Sequence, residues 1–326
     1  MVLLPMKISA IVDLSLRIYR DNFIKIMLLM FCLLAPVNLL QSYFMYDFSQ
    51  IPLLPDYGRG FTVSGYFINA ESAQSVNPAG LIIGLLLLPV SMAAYIFFQA
   101  AVSFMVKYVL DGVNPDIKEI LVKSKGRFFP LVGSSIIFFL ALSGVIIVLM
   151  IPTIALLVMM GVVTEVNNSG AAVFLLAVIL TLLILGAFIA VFFFYVRFGF
   201  FFPVVVFQND LIGMGKSWNL TRGNFFRMAA VFFISYAVYV AILAGLDLVV
   251  LITLGFSIVG QLGQVLINMA LFPIMSIVYT VAYFDLMARR EGVDIEGMLR
   301  MAEARVIKAG EAGTEFRMDN GGGDPA

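Results

Sequence analysis

The chain has 326 residues, of which 62% are hydrophobic and 12% charged, and its 20 basic residues balance 20 acidic ones. A soluble domain is about half apolar and about a quarter charged, so no soluble fold can hide this much apolar surface and lipid must be the solvent for most of it. Histidine is absent and Cys32 is the only cysteine, which removes the commonest general base and metal ligand, any intramolecular disulfide, and a cysteine-based zinc site.

Charged sequence up to Lys25 precedes the first apolar run, and that run is long enough to stay in the membrane, so no cleavable leader is expected. Before it, Ile8, Ile11, Val12, Ile18 and Tyr19 fall on one helical face. Lys7, Asp13, Arg17 and Asp21 lie mainly on the other, with Asp13–Arg17 and Arg17–Asp21 spaced i,i+4. This predicts a helix lying in the membrane interface. A helix needs roughly 20 apolar residues to cross a bilayer. Six segments qualify, at about 26–45, 79–106, 129–159, 171–196, 226–252 and 261–286. Pro36, Pro89, Pro152 and Pro273 lie inside them, where proline removes a helical hydrogen bond and makes kinks that neighbouring helices accommodate. Cys32 reads as a small buried hydrophobe in the first run.

One sizeable connection, about 46–78, carries Asp47, Asp56 and Glu71; the turns near 164–170 and 255–260 are short. The alternate connections are basic. Asn114-Pro115 resembles an N-cap followed by proline at the first helical position. Ile117, Ile120 and Leu121 then form an apolar stripe beside Lys118, Lys123 and Lys125, predicting a second surface helix over 114–125. A third is predicted over 210–219, where Leu211, Met214 and Trp218 share a face. With the N-terminus inside, nineteen of the twenty basic residues fall on the cytoplasmic side and Arg59 alone lies outside. The positive-inside rule then places both termini in the cytoplasm.

The chain's only tryptophan lies in the basic patch Gly215-Lys216-Ser217-Trp218-Asn219-Leu220-Thr221-Arg222-Gly223-Asn224-Phe225-Phe226-Arg227. An ungapped copy precedes the first span: Ser15, Arg20, Asn22 and Phe23 match Ser217, Arg222, Asn224 and Phe225, with Ile18 opposite Leu220 and Lys25 opposite Arg227. A weaker copy, Lys125-Gly126-Arg127-Phe128-Phe129, precedes the third span. The expected fold is therefore all-α and integral to the membrane, with six transmembrane helices in three hairpins, each preceded by a short cytoplasmic interfacial helix. Parallel internal repeats of this kind are common in membrane proteins, and convergence at basic, aromatic span entrances is the alternative reading. The membrane domain is expected to cover 1–288. In the tail over 289–326, Asp294 would cap a short helix that Gly310 ends, with disorder beyond.

Charged groups inside a bilayer point to function by default. Asp247 lies twenty residues past Arg227, which places it near the outer boundary at roughly 30 Å along a helix. Arg197 ends the fourth span and could snorkel to the headgroups. Asp285 is near the C-terminal end of the sixth span, where the helix dipole disfavours a carboxylate, so it needs a cationic neighbour. Arg289 one turn later, or Arg197 or Arg222 across the bundle, could supply it. Gln99, Gln261, Gln264 and Asn268 are accounted for by helix–helix hydrogen bonding.

Two stretches carry a resemblance. Arg197 through Pro203 and on to the Ser217-Trp218 patch, and Tyr283-Phe284-Asp285-Leu286 followed by Arg289-Arg290-Glu291-Gly292-Val293-Asp294, resemble a family of bacterial multi-spanning proteins of unknown function. That family is similar to the membrane region attached to some bacterial glycerophosphodiester phosphodiesterases. Phe226 stands where the family often has tryptophan, Gln208 where an acidic residue is common, and Met287 in place of arginine. The resemblance implies a bacterial plasma-membrane protein, and with only some forty residues after the last span no phosphodiesterase domain is expected. The structural and interfacial candidates are thus Arg197, Lys216, Ser217, Trp218, Arg222, Asn224, Phe225, Asp285, Arg289, Arg290, Glu291 and Asp294. No catalytic group and no cofactor is expected. Membrane lipids and a membrane or cytoplasmic protein are the expected partners, and nucleic acid is not. A non-enzymatic scaffold or accessory subunit fits these features; a transporter for a small or amphipathic substrate is the alternative, and an intramembrane enzyme the least supported.

Overall fold

The computed structural model describes residues 6–45, 53, 78–114, 116–166, 170–208, 210–255 and 257–319, without the side chains of 42, 43, 45, 78–81, 165–166 and 291–319. The described chain is helical and contains no strand. Its elements are α1 (Ile8–Asp21), α2 (Phe23–Leu33), α3 (Ala35–Met45), α4 (Pro78–Leu110), α5 (Ile117–Val166), α6 (Gly170–Phe198), α7 (Phe201–Gln208), α8 (Met214–Thr221), α9 (Phe225–Leu254) and α10 (Ile258–Asp319). Five stretches are long and apolar enough to cross a membrane: 82–110, 117–164, 170–208, 225–254 and 258–290. The bent pair α2 and α3 makes a sixth if it is one span. These helices make the chain a multi-pass membrane protein.

The first apolar run is not one straight helix. It breaks at Leu34, and the two pieces meet at 45°. Pro36, the second residue of α3, has no N–H to return to the Cys32 carbonyl, so the ladder is interrupted where the bend occurs. The other interior prolines, Pro89, Pro130, Pro152 and Pro273, sit within unbroken helices. Cys32 is exposed on the bundle surface rather than buried.

Two of the three predicted surface helices are separate elements. On α1, Ile11, Ser15 and Ile18 are buried. On α8, Ser217, Leu220 and Thr221 are buried. The matched residues occupy matched places. Asn22 separates α1 from α2 at φ −119°, ψ 19°, and Asn224 separates α8 from α9 at φ −117°, ψ 16°. Below each asparagine the inward positions correspond again: Ile26 with Met228, Leu29 with Val231, Met30 with Phe232. Repetition of the first and third copies therefore extends to backbone angle and burial.

The middle copy departs from expectation. No separate helix covers 114–125, because α5 runs unbroken for 50 residues from Ile117. Arg127 stands where the other copies have their boundary asparagine, and nothing there stops the helix. The start also differs: Asp116 accepts the Lys118 N–H at 3.2 Å, while the Asn114 side chain accepts from the Lys25 ammonium at 2.7 Å. Pro115 lies outside the described residues. The tail differs too. No break occurs at Asp294 or Gly310, and the backbone of α10 continues as a helix to Asp319.

The buried core gathers at one end of the bundle. Ile11 and Ile18 of α1, Ile26 of α2, Met105 of α4, Ile120 of α5, Val196 of α6, Val204 of α7, Met228 of α9 and Val281 of α10 form one cluster. α1 packs on α10 and α9, and α7 packs on α5, α8 and α4. Lys25, Lys107, Lys123, Arg197, Lys216, Arg227 and Arg289 all belong to this end. At the far end the α5–α6 hairpin leaves the core, and its Leu140, Ile151, Phe174 and Phe188 are exposed. At about 1.5 Å per residue α5 is roughly 75 Å long, more than twice the ~30 Å of a bilayer's hydrocarbon.

Candidate functional site at the basic end

Asp285 is fully buried, and three elements converge on it. Its Oδ2 accepts from Arg227 Nη2 of α9 at 3.0 Å and from Arg289 Nε of α10 at 3.1 Å. Its Oδ1 accepts the Met6 N–H, just before α1, at 2.7 Å. Both guanidinium groups also donate to the Met6 carbonyl, Arg289 at 2.9 Å. Two cations, one anion and one peptide unit thus form a closed knot tying the start of α1 to α9 and α10. The second cation leaves net positive charge there.

Asp285 therefore has the cationic partner expected, and Arg289 is one of two. The partner across the bundle is Arg227, not Arg197 or Arg222. Arg227 follows Asn224 by three residues, which brings it to the inward side of α9's first turn. Arg222 precedes the break and is exposed.

Arg197 takes part in a second arrangement. Its guanidinium carbon lies 4.8 Å from the Trp218 ring centroid, 5.3 Å from Phe225 and 5.5 Å from Phe193. Phe193 is one turn back on α6, whereas Trp218 and Phe225 come from α8 and α9. Nε and Nη1 are enclosed and have no hydrogen-bond partner. The Arg197 carbonyl, at the open C-terminal end of α6, accepts from Ser217 Oγ at 2.9 Å and from Thr221 Oγ1 at 3.4 Å. α8 is thereby pinned across the end of α6, satisfying a carbonyl the helix leaves free. Ser217→Ala is expected to cost about 1–2 kcal/mol, because a buried carbonyl loses its shorter bond; an unchanged apparent melting midpoint in a fixed detergent would count against this pin.

The remaining candidates divide by exposure. Lys216 pairs with Asp210 at 3.1 Å. Trp218 is 38% exposed. Phe225 packs on Phe193 with centroids 5.0 Å apart. Arg290 is exposed, and the side chains of Glu291 and Asp294 lie outside the described residues. Besides Arg227, further participants were not among the candidates. Met6 contributes a backbone unit, which has no side-chain signature. Gln208 Nε2 donates to the Tyr283 hydroxyl at 3.0 Å. Tyr279 donates to the Gly199 carbonyl, joining α10 to the turn after α6. At the same end the Tyr108 hydroxyl donates to Glu119 and accepts from Lys123. The Tyr19 hydroxyl donates to the Ala270 carbonyl at 2.5 Å, and burial pushes its pKa above the ordinary phenol value.

Elsewhere among the described residues, polar groups bond within or between helices, as the buried Ser103 and Thr280 hydroxyls do at 3.2 Å between α4 and α10. Asn268 donates to the Gln264 carbonyl of its own helix at 2.9 Å. Ser235 Oγ and Asp247 Oδ1, both on α9, are enclosed without a partner. Ser235 borders an apolar cleft between α1, α9 and α10, lined also by Val12, Leu16, Val238, Tyr239 and Ile274. Among the described residues, no three His, Cys, Asp or Glu side chains converge as metal ligands would. No family model matches this chain, and neither a curated protein nor a solved structure matches it.

Proposed function

We propose that this is a non-enzymatic scaffold or accessory subunit of the bacterial plasma membrane that works through its basic end, engaging anionic lipid headgroups and protein partners. The observation carrying this reading is the concentration of cationic side chains at one end of the bundle, where the Arg227–Asp285–Arg289 knot holds α1, α9 and α10 together. In this reading α2 and α3 form one bent span. Six spans then make three hairpins with both termini cytoplasmic, and the basic end faces the inner leaflet. The positive-inside bias and the two motif resemblances support that setting. The exposed Arg17, Lys118, Lys125 and Arg290 form a rim free to meet headgroups or an acidic partner surface.

Orientation is tested by cysteine labelling in a Cys32→Ser background. Ser64→Cys is expected to react with an impermeant reagent from outside, and Arg222→Cys only after the membrane is opened. The reverse pattern would overturn the topology. Ser217, an obvious choice from sequence, is fully buried and unsuitable. The functional reading is tested by recovering the tagged full chain from native membranes in polymer discs. A stable protein partner, or enrichment of anionic lipid over the bulk, is expected, and neutralising the four rim cations to glutamine should remove it. Recovery of the chain alone with bulk lipid composition, or saturable solute flux in proteoliposomes, would overturn the reading.

A further inference from the structure

We infer that Arg197 anchors a binding site for the phosphate group of an anionic phospholipid. This deepens the function proposed above and rests on it for the placement of the basic end among headgroups. Arginine stays charged at all accessible pH and carries five N–H donors. Here Phe193, Trp218 and Phe225 surround the guanidinium at 4.8–5.5 Å. Ring faces attract a cation, but they leave Nε and Nη1 enclosed without an acceptor. Arg227 and Arg289 have Asp285, and Lys216 has Asp210; among the described residues no carboxylate pairs with Arg197. Nη2 is not among the enclosed nitrogens, so it is the one that an acceptor from outside the chain can reach, offsetting a guanidinium whose other nitrogens the rings keep dry.

A phosphate oxygen suits that nitrogen in chemistry and place. Nη2 carries two N–H donors fixed in the guanidinium plane, a directed contact to phosphate that a lysine ammonium does not reproduce. Arg197 is itself only partly buried, and Trp218 beside it is half-exposed, as aromatic residues at headgroup level are. Lys216 and Arg222 bracket Ser217 and Thr221, whose hydroxyls hold the Arg197 carbonyl. Because Asp210 offsets Lys216, Arg222 supplies the uncompensated charge that favours an anionic lipid over a zwitterionic one.

Trp218 is the only tryptophan, so its emission reports on this site alone. The purified full chain in detergent micelles would be titrated with short-chain phosphatidylglycerol, short-chain phosphatidylcholine and inorganic phosphate. A saturable change is expected with phosphatidylglycerol, about tenfold tighter than with phosphatidylcholine. Arg197→Gln should weaken it by about tenfold or more, and Arg197→Lys, which keeps the charge but loses the planar group held among the rings, by several-fold. Arg222→Gln, at an exposed position outside the four rim cations, should weaken it by about threefold and reduce its salt dependence; this variant tests the site even if the Arg197 variants do not fold. Equal affinity for the two lipids, or unchanged affinity in the folded Arg197 or Arg222 variants, would overturn the site. An equal response to inorganic phosphate would overturn the lipid assignment. If rim neutralisation abolishes native enrichment while Arg197→Gln binds like the wild type, the basic-end function stands and the Arg197 site falls. Saturable binding at Arg197 with bulk lipid recovered from native membranes would show the reverse.

Discussion

Replacing Asp285 with asparagine is expected to destabilise the protein by about 3–5 kcal/mol, the range for removing one partner from a buried ion pair. An apparent melting midpoint in fixed detergent should fall by on the order of 10 °C. The cause is the charge left behind. The Arg227 and Arg289 side chains are only 22% and 26% exposed, and both point at one fully buried carboxylate. Asparagine can still accept the Met6 N–H, but the two guanidinium groups would then share a neutral amide and a single carbonyl. A second substitution separates the partners. Adding Arg227→Gln should recover part of the loss, because Arg227 Nε is already enclosed without a partner. Adding Arg289→Gln should recover less, since Arg289 lies one turn along its own helix from Asp285 and can swing outward. An unchanged midpoint in Asp285→Asn, or equal recovery from both double variants, would show that the knot does not work this way.

The parts of this knot differ in how far sequence reveals them. Asp285 and Arg289 are i,i+4 on one helix, so their contact follows from helical geometry alone. Arg227 is 58 positions from Asp285, and its contact depends on how α9 crosses α10, which periodicity does not specify. Met6 joins through its peptide group, a feature every residue shares. The same division holds for the Arg197 cage. Phe193 precedes Arg197 by one turn and could be placed beside it from spacing. That Trp218 and Phe225 complete the enclosure requires α8 to lie across the end of α6. Spans were legible because about 20 apolar residues leave few alternatives. Their terminations were less so: the asparagines at 22 and 224 interrupt the helix in two copies, whereas the middle copy kept the basic and aromatic pattern without a residue to stop α5. Amphipathic periodicity there described one face of a longer helix, not a separate element.

Gly199→Ala is expected to cost roughly 3 kcal/mol, combining overpacking with loss of a buried hydrogen bond. A Cβ built on Gly199 would lie 2.3 Å from the Tyr195 carbonyl oxygen. That oxygen belongs to the backbone at the end of α6 and cannot rotate away as a side chain could. It also accepts the Gly199 N–H at 2.7 Å, so relieving the clash opens the turn leading into α7. The Gly199 carbonyl would move with it and lose the Tyr279 hydroxyl, uncoupling α10 from this corner. The effect reaches the aromatic cage because Arg197 lies two residues upstream and its carbonyl anchors α8. The Trp218 emission of Gly199→Ala should therefore shift together with the melting midpoint. Gly126→Ala is the control: its added Cβ meets nothing within 4 Å on α5, and alanine there should be neutral or stabilising by up to about 1 kcal/mol through helix propensity. If the two variants melt alike and share the wild-type emission, the close approach at Gly199 does not constrain this corner, and the placement of Arg197 must be set by the Ser217 and Thr221 hydroxyls alone.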